Sequence, residues 1–415
     1  MMGTLDRRAK LASVAGAALA AVLAGACGTL ADEGASAPTV DVTTPTSATP
    51  ATPVPGPTTS TTGAPTSTTA APSTTAPDPT TTAPPADDPG VDPATGRDPW
   101  RWPFASDSIW NMPIGSGAQY TDAGIGPAGY TGIDREYFFT VAADDPVRPV
   151  YRYGSWSNRC SGTEQLGEIR IPDDLIVPDA DPPTTPNNPT TLLQPDGRTV
   201  IQLNGFARCD AGGPAYGYLY DPVDLYGEGV LGAHGGSAMS AIGGSIRSGE
   251  LTSDQPIRHA LKVNLWAERY YHFSGDRPGY RWPALQADSY ASPSSYAGDN
   301  PALVLGSLLA IPPGVEATDL GLTTEVGTKL FAAMRDYGVY VVDDSAWDAH
   351  DLSVEAAVEG EVRDAYGLDM SSDSGALHDD LNRLYSALSV VDNNGPDTIG
   401  GGGEPRAPLA PPLGG

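Results

Sequence analysis

Across 415 residues the chain sets 23 basic side chains against 51 acidic ones, a formal net charge of −28. Long-range attraction to nucleic acid or to polyanionic glycans is disfavoured at that charge, and a neutral or cationic ligand is the natural partner. No Phe, Tyr or Trp precedes Trp100, so the N-terminal stretch cannot build a core and the folded part is one large domain over residues 98–392.

Residues 1–26 read as an export signal: Arg7, Arg8 and Lys10 come first, then an apolar, alanine-rich run too short to span a membrane with assurance. Its end, Leu23-Ala24-Gly25-Ala26-Cys27, resembles the lipobox of bacterial lipoproteins, with Ala24 where leucine is usual. The resemblance implies lipidation of Cys27 and anchoring at the outer face of the membrane; simple cleavage after Ala26 gives a secreted protein instead. Residues 27–97, rich in Thr and Pro, are expected to be a disordered tether. Cys160 and Cys209 remain as a pair. In an exported chain they are expected to form a disulfide, worth about 4 kcal/mol in the chain-entropy model, with two buried free thiols as the alternative.

The domain opens on Trp100, Trp102 and Trp110, which are expected to be core rather than a sugar platform. Strand signals follow at 137–141, 150–153, 168–171, 199–203 and 216–220, each short, β-branched or aromatic, and bounded by Pro, Asp, Asn or Gly. With few helical periodicities between them, the expected fold is mainly β, an antiparallel, jelly-roll-like β-sandwich with a few peripheral helices near the C-terminus. The run from Asp179 to Asn188 reads as a solvated loop, since it lacks the spacing of a calcium loop.

Glycines then crowd around His234, Ser237, Ser240, Arg247 and Glu250 in the 227–251 stretch. Such a segment allows tight turns and close backbone approach. The next strand, 257–266, alternates: Ile257, His259, Leu261, Val263 and Leu265 face one way, making His259 a core histidine. Arg258, Ala260, Lys262, Asn264 and Trp266 face the other, a pattern that suits a sugar-binding groove and equally an ordinary solvent face. A long aromatic loop over 266–300 brings Tyr271, His272, Arg281 and Asp288. Connections of that length inside a domain are commonly functional.

Residues 301–311 read as buried strand. Thr323-Thr324-Glu325 caps a helix with Val326, Leu330, Phe331 and Met334 on one stripe, ended by Gly338. Strand 339–342 delivers Asp343 and Asp344. A helix near 376–390 places His378, Asp379 and Asp380 in a solvated first turn, and residues 393–415 are expected to be a disordered Gly/Pro tail.

His234-Gly-Gly-Ser237, Ile242-Gly-Gly-Ser-Ile-Arg247, His259-Ala-Leu-Lys262, Asn300-Pro-Ala-Leu303 and Tyr340-Val-Val-Asp343-Asp344 together look like a family of exported, actinobacterial-type bacterial domains, over residues 100–390. The resemblance implies a shared extracellular fold and carries no catalytic residues across.

The chemistry then narrows. His-Gly-Gly-Ser is similar to the oxyanion loop of esterases, yet no Gly-x-Ser-x-Gly elbow occurs. The five histidines, His234, His259, His272, His350 and His378, lack the short spacings of a zinc site, so no metal and no cofactor is expected. Glycoside hydrolysis requires two carboxylates across a sugar, with Glu250, Glu268, Asp288, Asp343, Asp344 and Asp348 as candidates; β-elimination requires a His or Tyr base beside a cation. The expectation is a monomeric, exported cell-envelope protein acting on a glycan or cell-wall polymer as hydrolase or lyase. Its catalytic residues would be His234, Arg247 and Asp343, and its binding residues Lys262, Asn264, Trp266, Tyr271, His272, Arg281 and Asp288. The competing expectation is a non-catalytic glycan- or envelope-binding lipoprotein using the same groove.

Overall fold

In the computed structural model, residues 96–180, 186–276 and 278–414 are described. The export signal, Cys27 and nearly all of the expected tether lie outside them. The strands are β1 (Tyr120–Asp122), β2 (Tyr130–Thr140), β3 (Val147–Tyr151), β4 (Gln165–Arg170), β5 (Thr190–Leu193), β6 (Thr199–Ala207) and β7 (Ala215–Leu219). After them come β8 (Val223–Asp224), β9 (Leu261–Leu265), β10 (Leu308–Ala310), β11 (Val339–Asp344), β12 (Ala349–Glu355) and β13 (Ser389–Val391).

The chain is mainly β, and its strands form a single mixed sheet in the order β1-β13-β10-β11-β9-β12-β2-β5-β6-β7-β3-β4, with β8 on β6. The expected antiparallel sandwich is thereby corrected: β9 with β11, β2 with β12, β2 with β5 and β3 with β7 all pair in parallel. Strands that are not consecutive in the chain become spatial neighbours, which local strand signals cannot reveal. The hinge of the sheet is β2. Residues 130–136 pair with β12, and residues 137–140 pair with β5, so one strand serves both halves.

The core follows the same division. A large cluster packs Trp110, Ile246, Val263, Leu330 and Tyr340, and a smaller one packs Val150, Ile169, Leu203 and Phe206. Trp100 and Trp110 are buried, as expected of core aromatics, and so is Phe104, whereas Trp102 is half-buried. The disulfide joins Cys160 to Cys209 and ties the turn after β3 to the end of β6.

Helices sit late in the chain: α1 (Ala267–Tyr270), α2 (Ala317–Leu320), α3 (Glu325–Asp336), α4 (Val358–Tyr366) and α5 (Ala376–Ser386). Thr324 caps α3, its hydroxyl accepting from the Gly327 amide. Asp380, expected in a solvated turn, is fully buried; it accepts from the Thr323 and Thr324 amides and so fastens α5 to the start of α3. Residues 301–311 contribute only the three-residue β10.

Two boundaries differ from expectation. Arg97, placed in the tether, is buried and donates to the carbonyls of Trp102, Pro103 and Phe104. Residues 393–414, expected as a loose tail, pack back on the domain: Gly400 and Gly401 are buried, and Arg406 donates to the Arg335 carbonyl. Glycine permits this packing because a Cβ on Gly401 would lie 2.5 Å from Ala118 Cα.

Candidate functional site

Strand register assembles the site. On β2, Asp134 and Glu136 point to one face by their period of two. Across β12 they oppose Ser353 and Glu355, and on β9 Asn264 opposes Asp351. On the other side, Gln202 of β6 opposes Thr191 of β5, and Asn204 opposes Tyr218 of β7. A polar band thus crosses one face of an otherwise apolar sheet.

Asp343 joins that band through an irregularity. The β11 register shifts between Val341 and Asp343, and Asp343 then pairs with Asn264. A bulge re-aims one side chain without ending the strand. Asp344 turns elsewhere, accepting from the Ala267 amide and from Tyr290 Oη.

The glycine segment lies directly on this band, which explains its composition. A Cβ on Gly232 would collide with Gln202, one on Gly235 would sit 2.5 Å from Asn204 Nδ2, and one on Gly236 would sit 2.7 Å from Asp343 Oδ1 and 3.2 Å from Asp288 Oδ2. Gly236→Ala is accordingly expected to displace both carboxylates and cost about 1–3 kcal/mol by overpacking; urea unfolding of the variant checks the cost.

His234 is carried down among the carboxylates by this close approach. Its Nε2 lies 2.7 Å from Glu136 Oε1, and its Nδ1 lies 3.9 Å from both Asp134 Oδ2 and Asp343 Oδ2. The 2.7 Å contact is off the line of a ring hydrogen bond, and neither ring nitrogen has a hydrogen-bond partner among the described residues. Beneath it, Lys262 Nζ donates to Glu136 Oε1 at 2.7 Å, to the Ser240 carbonyl at 3.1 Å and to the Ala241 carbonyl. Three acceptors match the three protons of an ammonium, so Lys262 and Glu136 form a fully buried pair in which burial pushes the carboxyl well up and the amine down while their mutual attraction opposes both. Burial and the Lys262 charge hold the His234 pKa well below its ordinary value, keeping the ring neutral.

The carboxylates above have different surroundings. Asp134, 6 % exposed, accepts from Asn187 Nδ2 at 3.1 Å and Asn264 Nδ2 at 3.0 Å. Burial raises its pKa, while the two amides, Lys262 and Arg159 pull it back. Asp343 keeps 10 % of its side chain exposed; burial and the neighbouring Asp288 and Asp134 push it well above the carboxylate range. Asp288, which accepts from Tyr296 Oη at 2.6 Å, is pushed up to about 6, chiefly by burial. Asp343 is thus pushed further toward its protonated form than Asp134, whose rise the two amides and the two cations oppose.

Asp351, at the edge of the band, is pushed to about 7 by burial and by Asp134, from an ordinary 3.8. Between those values the folded chain binds more protons than the unfolded one, so stability falls as pH rises through that window. Asp351→Asn is expected to stabilise the protein by on the order of 2 kcal/mol near pH ~8 and little near pH ~4. Denaturant unfolding at both pH values decides it.

Aromatic side chains flank the acids on the β7 side. Tyr218 and Tyr220 meet edge to face at 5.0 Å, and Tyr153 meets Trp156 at 5.7 Å. All four are half-buried. The charges of Asp343 and Asp288 both reach Tyr220, which places it where this wall meets the acids.

Of the residues singled out from sequence, His234, Asp343, Asp288, Lys262 and Asn264 come together here. Lys262 is wholly enclosed and bonded to protein groups, so its place is under the site rather than against a ligand. The whole of β9 is buried; the open face expected for it is covered by the glycine segment. Tyr271 is also buried, donating from Oη to the Asp343 carbonyl at 2.5 Å. Arg247 does not join the cluster: it pairs with Glu355 at 3.0 Å and stacks over Phe138 at 4.5 Å. Trp266 is half-buried at the start of α1, His272 bonds to the Gly298 carbonyl, and Arg281 donates to the carbonyls of Asp392 and Asn394. His259 is a core histidine held by Glu250 at 3.1 Å.

Sequence reasoning missed Asp134, Glu136, Asn204 and Tyr220. The signal for the first two was present: charged residues at a period of two inside Tyr130–Thr140, a strand the apolar pattern recognises only from Tyr137 onward. Among the described residues, Cys160, Asp179 and Cys209 are the one group whose ligand atoms crowd as a metal site requires, and both sulfurs are committed to the disulfide. Comparison with family models, curated proteins and solved structures finds no match.

Proposed function

We propose that this protein is a glycan hydrolase of the cell envelope, exported and held by a lipid on Cys27. The observation that carries the reading is that Asp134 and Asp343 share one imidazole nitrogen, each 3.9 Å from His234 Nδ1. No more than twice that distance separates the two oxygens, an upper bound that paired glycosidase carboxylates also meet.

Their surroundings divide the labour. Asp343, whose proton burial and the neighbouring carboxylates favour, acts as general acid and gives that proton to the departing glycosidic oxygen. Asp134, whose upward shift two amides and two cations oppose, serves the anomeric carbon, either directly or by taking a proton from the attacking water. His234, neutral and enclosed, is a positioning residue. The tyrosines and Trp156 offer flat apolar surfaces beside polar groups, as sugar rings require. A disulfide accords with an oxidising, extracellular setting.

Hydrolysis is favoured over β-elimination because a uronate would face Asp134, Asp288 and Asp343 with no free cation beside them among the described residues. The test is incubation of the full chain with a panel of neutral, amino and uronic polysaccharides, reading new reducing ends and new C=C absorbance separately. Reducing ends without unsaturation support the proposal. Unsaturated products, or binding with no product from any glycan, would sink it.

A further inference from the structure

We infer that Arg159 is a positioning residue for Asp134: it clamps the segment that presents the Asn187 amide to that carboxylate and supplies a positive charge beside it. The inference rests on the glycan reading above, which gives Asp134 its task.

Arg159 is wholly enclosed and opens the short 3-10 turn Arg159–Ser161. Two ties fix that turn. Cys160 is joined to Cys209 just past the end of β6, and the Asp179 carboxylate accepts from the Arg159 and Cys160 amides at 2.9 and 3.1 Å. From this anchored place the side chain donates from Nη2 to the Pro186 carbonyl, from Nη1 to the Phe206 carbonyl at 3.4 Å and from Nε to the Trp156 carbonyl at 3.2 Å. The guanidinium also lies 4.5 Å over the Trp156 ring.

Those carbonyls bracket the residue that holds the acid. Pro186 leads directly into Asn187, whose Nδ2 donates to Asp134 Oδ2 at 3.1 Å and whose carbonyl accepts from the Gly205 amide at 2.9 Å. The Phe206 carbonyl also accepts from Asn188 Nδ2 at 3.2 Å. Arg159 thus grips the chain before Asn187 directly and after it through Phe206. A planar fork of fixed donors suits such a clamp better than a single ammonium.

The charge has a purpose as well. A guanidinium taken out of water needs an opposite charge, because carbonyl dipoles alone do not repay its desolvation. Every side-chain hydrogen bond of Arg159 among the described residues goes to a carbonyl, and the carboxylates whose charges support it are Asp179 and Asp134. Around Asp134, the glycine segment brings neutral His234, β11 brings Asp343 and β12 brings Asp351. The cation from β9, Lys262, is bonded to Glu136. Arg159 therefore answers a need of Asp134 that its nearer neighbours leave unmet. Arg208 makes the contrast: it is equally enclosed and precedes Cys209, but its carbonyl partners Pro172, Leu175 and Gly213 lie outside the acid cluster.

Urea unfolding of the full chain at neutral pH, for Arg159→Gln, Asp134→Asn and their combination, tests the inference without any substrate. Glutamine keeps amide protons for the carbonyls and drops the charge. Its loss of stability is expected to be clearly smaller in the Asp134→Asn background, whereas Arg208→Gln is expected to lose as much in either. Additive losses at Arg159 would overturn the inference, as would an Arg159→Gln chain that folds in neither background. On any glycan of the panel above that yields reducing ends, Arg159→Gln is expected to move the acid limb of the pH profile up by about 1 pH unit, since a lost cation makes Asp134 easier to protonate. Arg159→Lys, which keeps the charge, is expected to leave that limb in place. A limb unmoved in Arg159→Gln would also overturn the inference. Non-additive losses with no glycan cleaved would support the link between Arg159 and Asp134 and remove the glycan reading; cleavage with additive losses would do the reverse.

Discussion

Lys262→Ala is expected to destabilise the fold by about 3–5 kcal/mol, because it leaves the enclosed Glu136 carboxyl without its ammonium partner. Lys262 and Glu136 are both wholly enclosed and 2.7 Å apart. The same ammonium holds the Ser240 and Ala241 carbonyls, so its loss also removes two of the ties between the glycine segment and the sheet. Urea unfolding measures the cost. The double variant Lys262→Met with Glu136→Gln removes both charges and is expected to lose less than the two single variants together. An additive result would mean the pair is not coupled.

The second large effect concerns chemistry. Asp343→Asn is expected to lower turnover about 10²- to 10⁴-fold, the usual contribution of a positioned general acid. Stability should not fall with it, since burial and the neighbouring carboxylates already disfavour the charged form of Asp343 and an amide carries no charge. The pH profile supplies a signature that misfolding would not reproduce. In the wild type, activity needs Asp343 protonated and so declines on the alkaline side. Acid exposure protonates Asp134, and also Asp288 below about 6, so activity declines there too. The residual activity of Asp343→Asn is expected to keep the acid limb and lose the alkaline one.

The local features of the sequence translate well into structure and the long-range ones do not. The strand signals at 199–203 and 216–220 fall within or beside β6 and β7, and Thr324 and Gly338 bracket α3 as their chemistry requires. His234 and Asp343, 109 positions apart in the chain, do meet. What joins them is non-local: parallel pairing of β9 with β11, and a register shift that turns Asp343 to the face of Asn264. Neither leaves a mark in side-chain periodicity. The reading of β9 shows the same limit, for alternation separates two faces but does not say what covers each. Arg247 is instructive for another reason. An arginine in a glycine-rich loop suggests a ligand, yet its partners Glu355 and Phe138 come from two distant strands, and they make it part of the scaffold. Asp134 escapes notice because a carboxylate inside a strand resembles an ordinary exposed position until β12, Asn187, Asn264 and His234 close around it.

The most direct measurement is the release of reducing ends from a glycan polymer by the wild type and by Asp343→Asn, assayed side by side with the binding of each. Wild-type turnover with the loss confined to the variant, both proteins binding the polymer, is the predicted result. Binding by the wild type without release of reducing ends, or equal release by the two proteins, would contradict the assignment of Asp343 and the hydrolytic reading built on it.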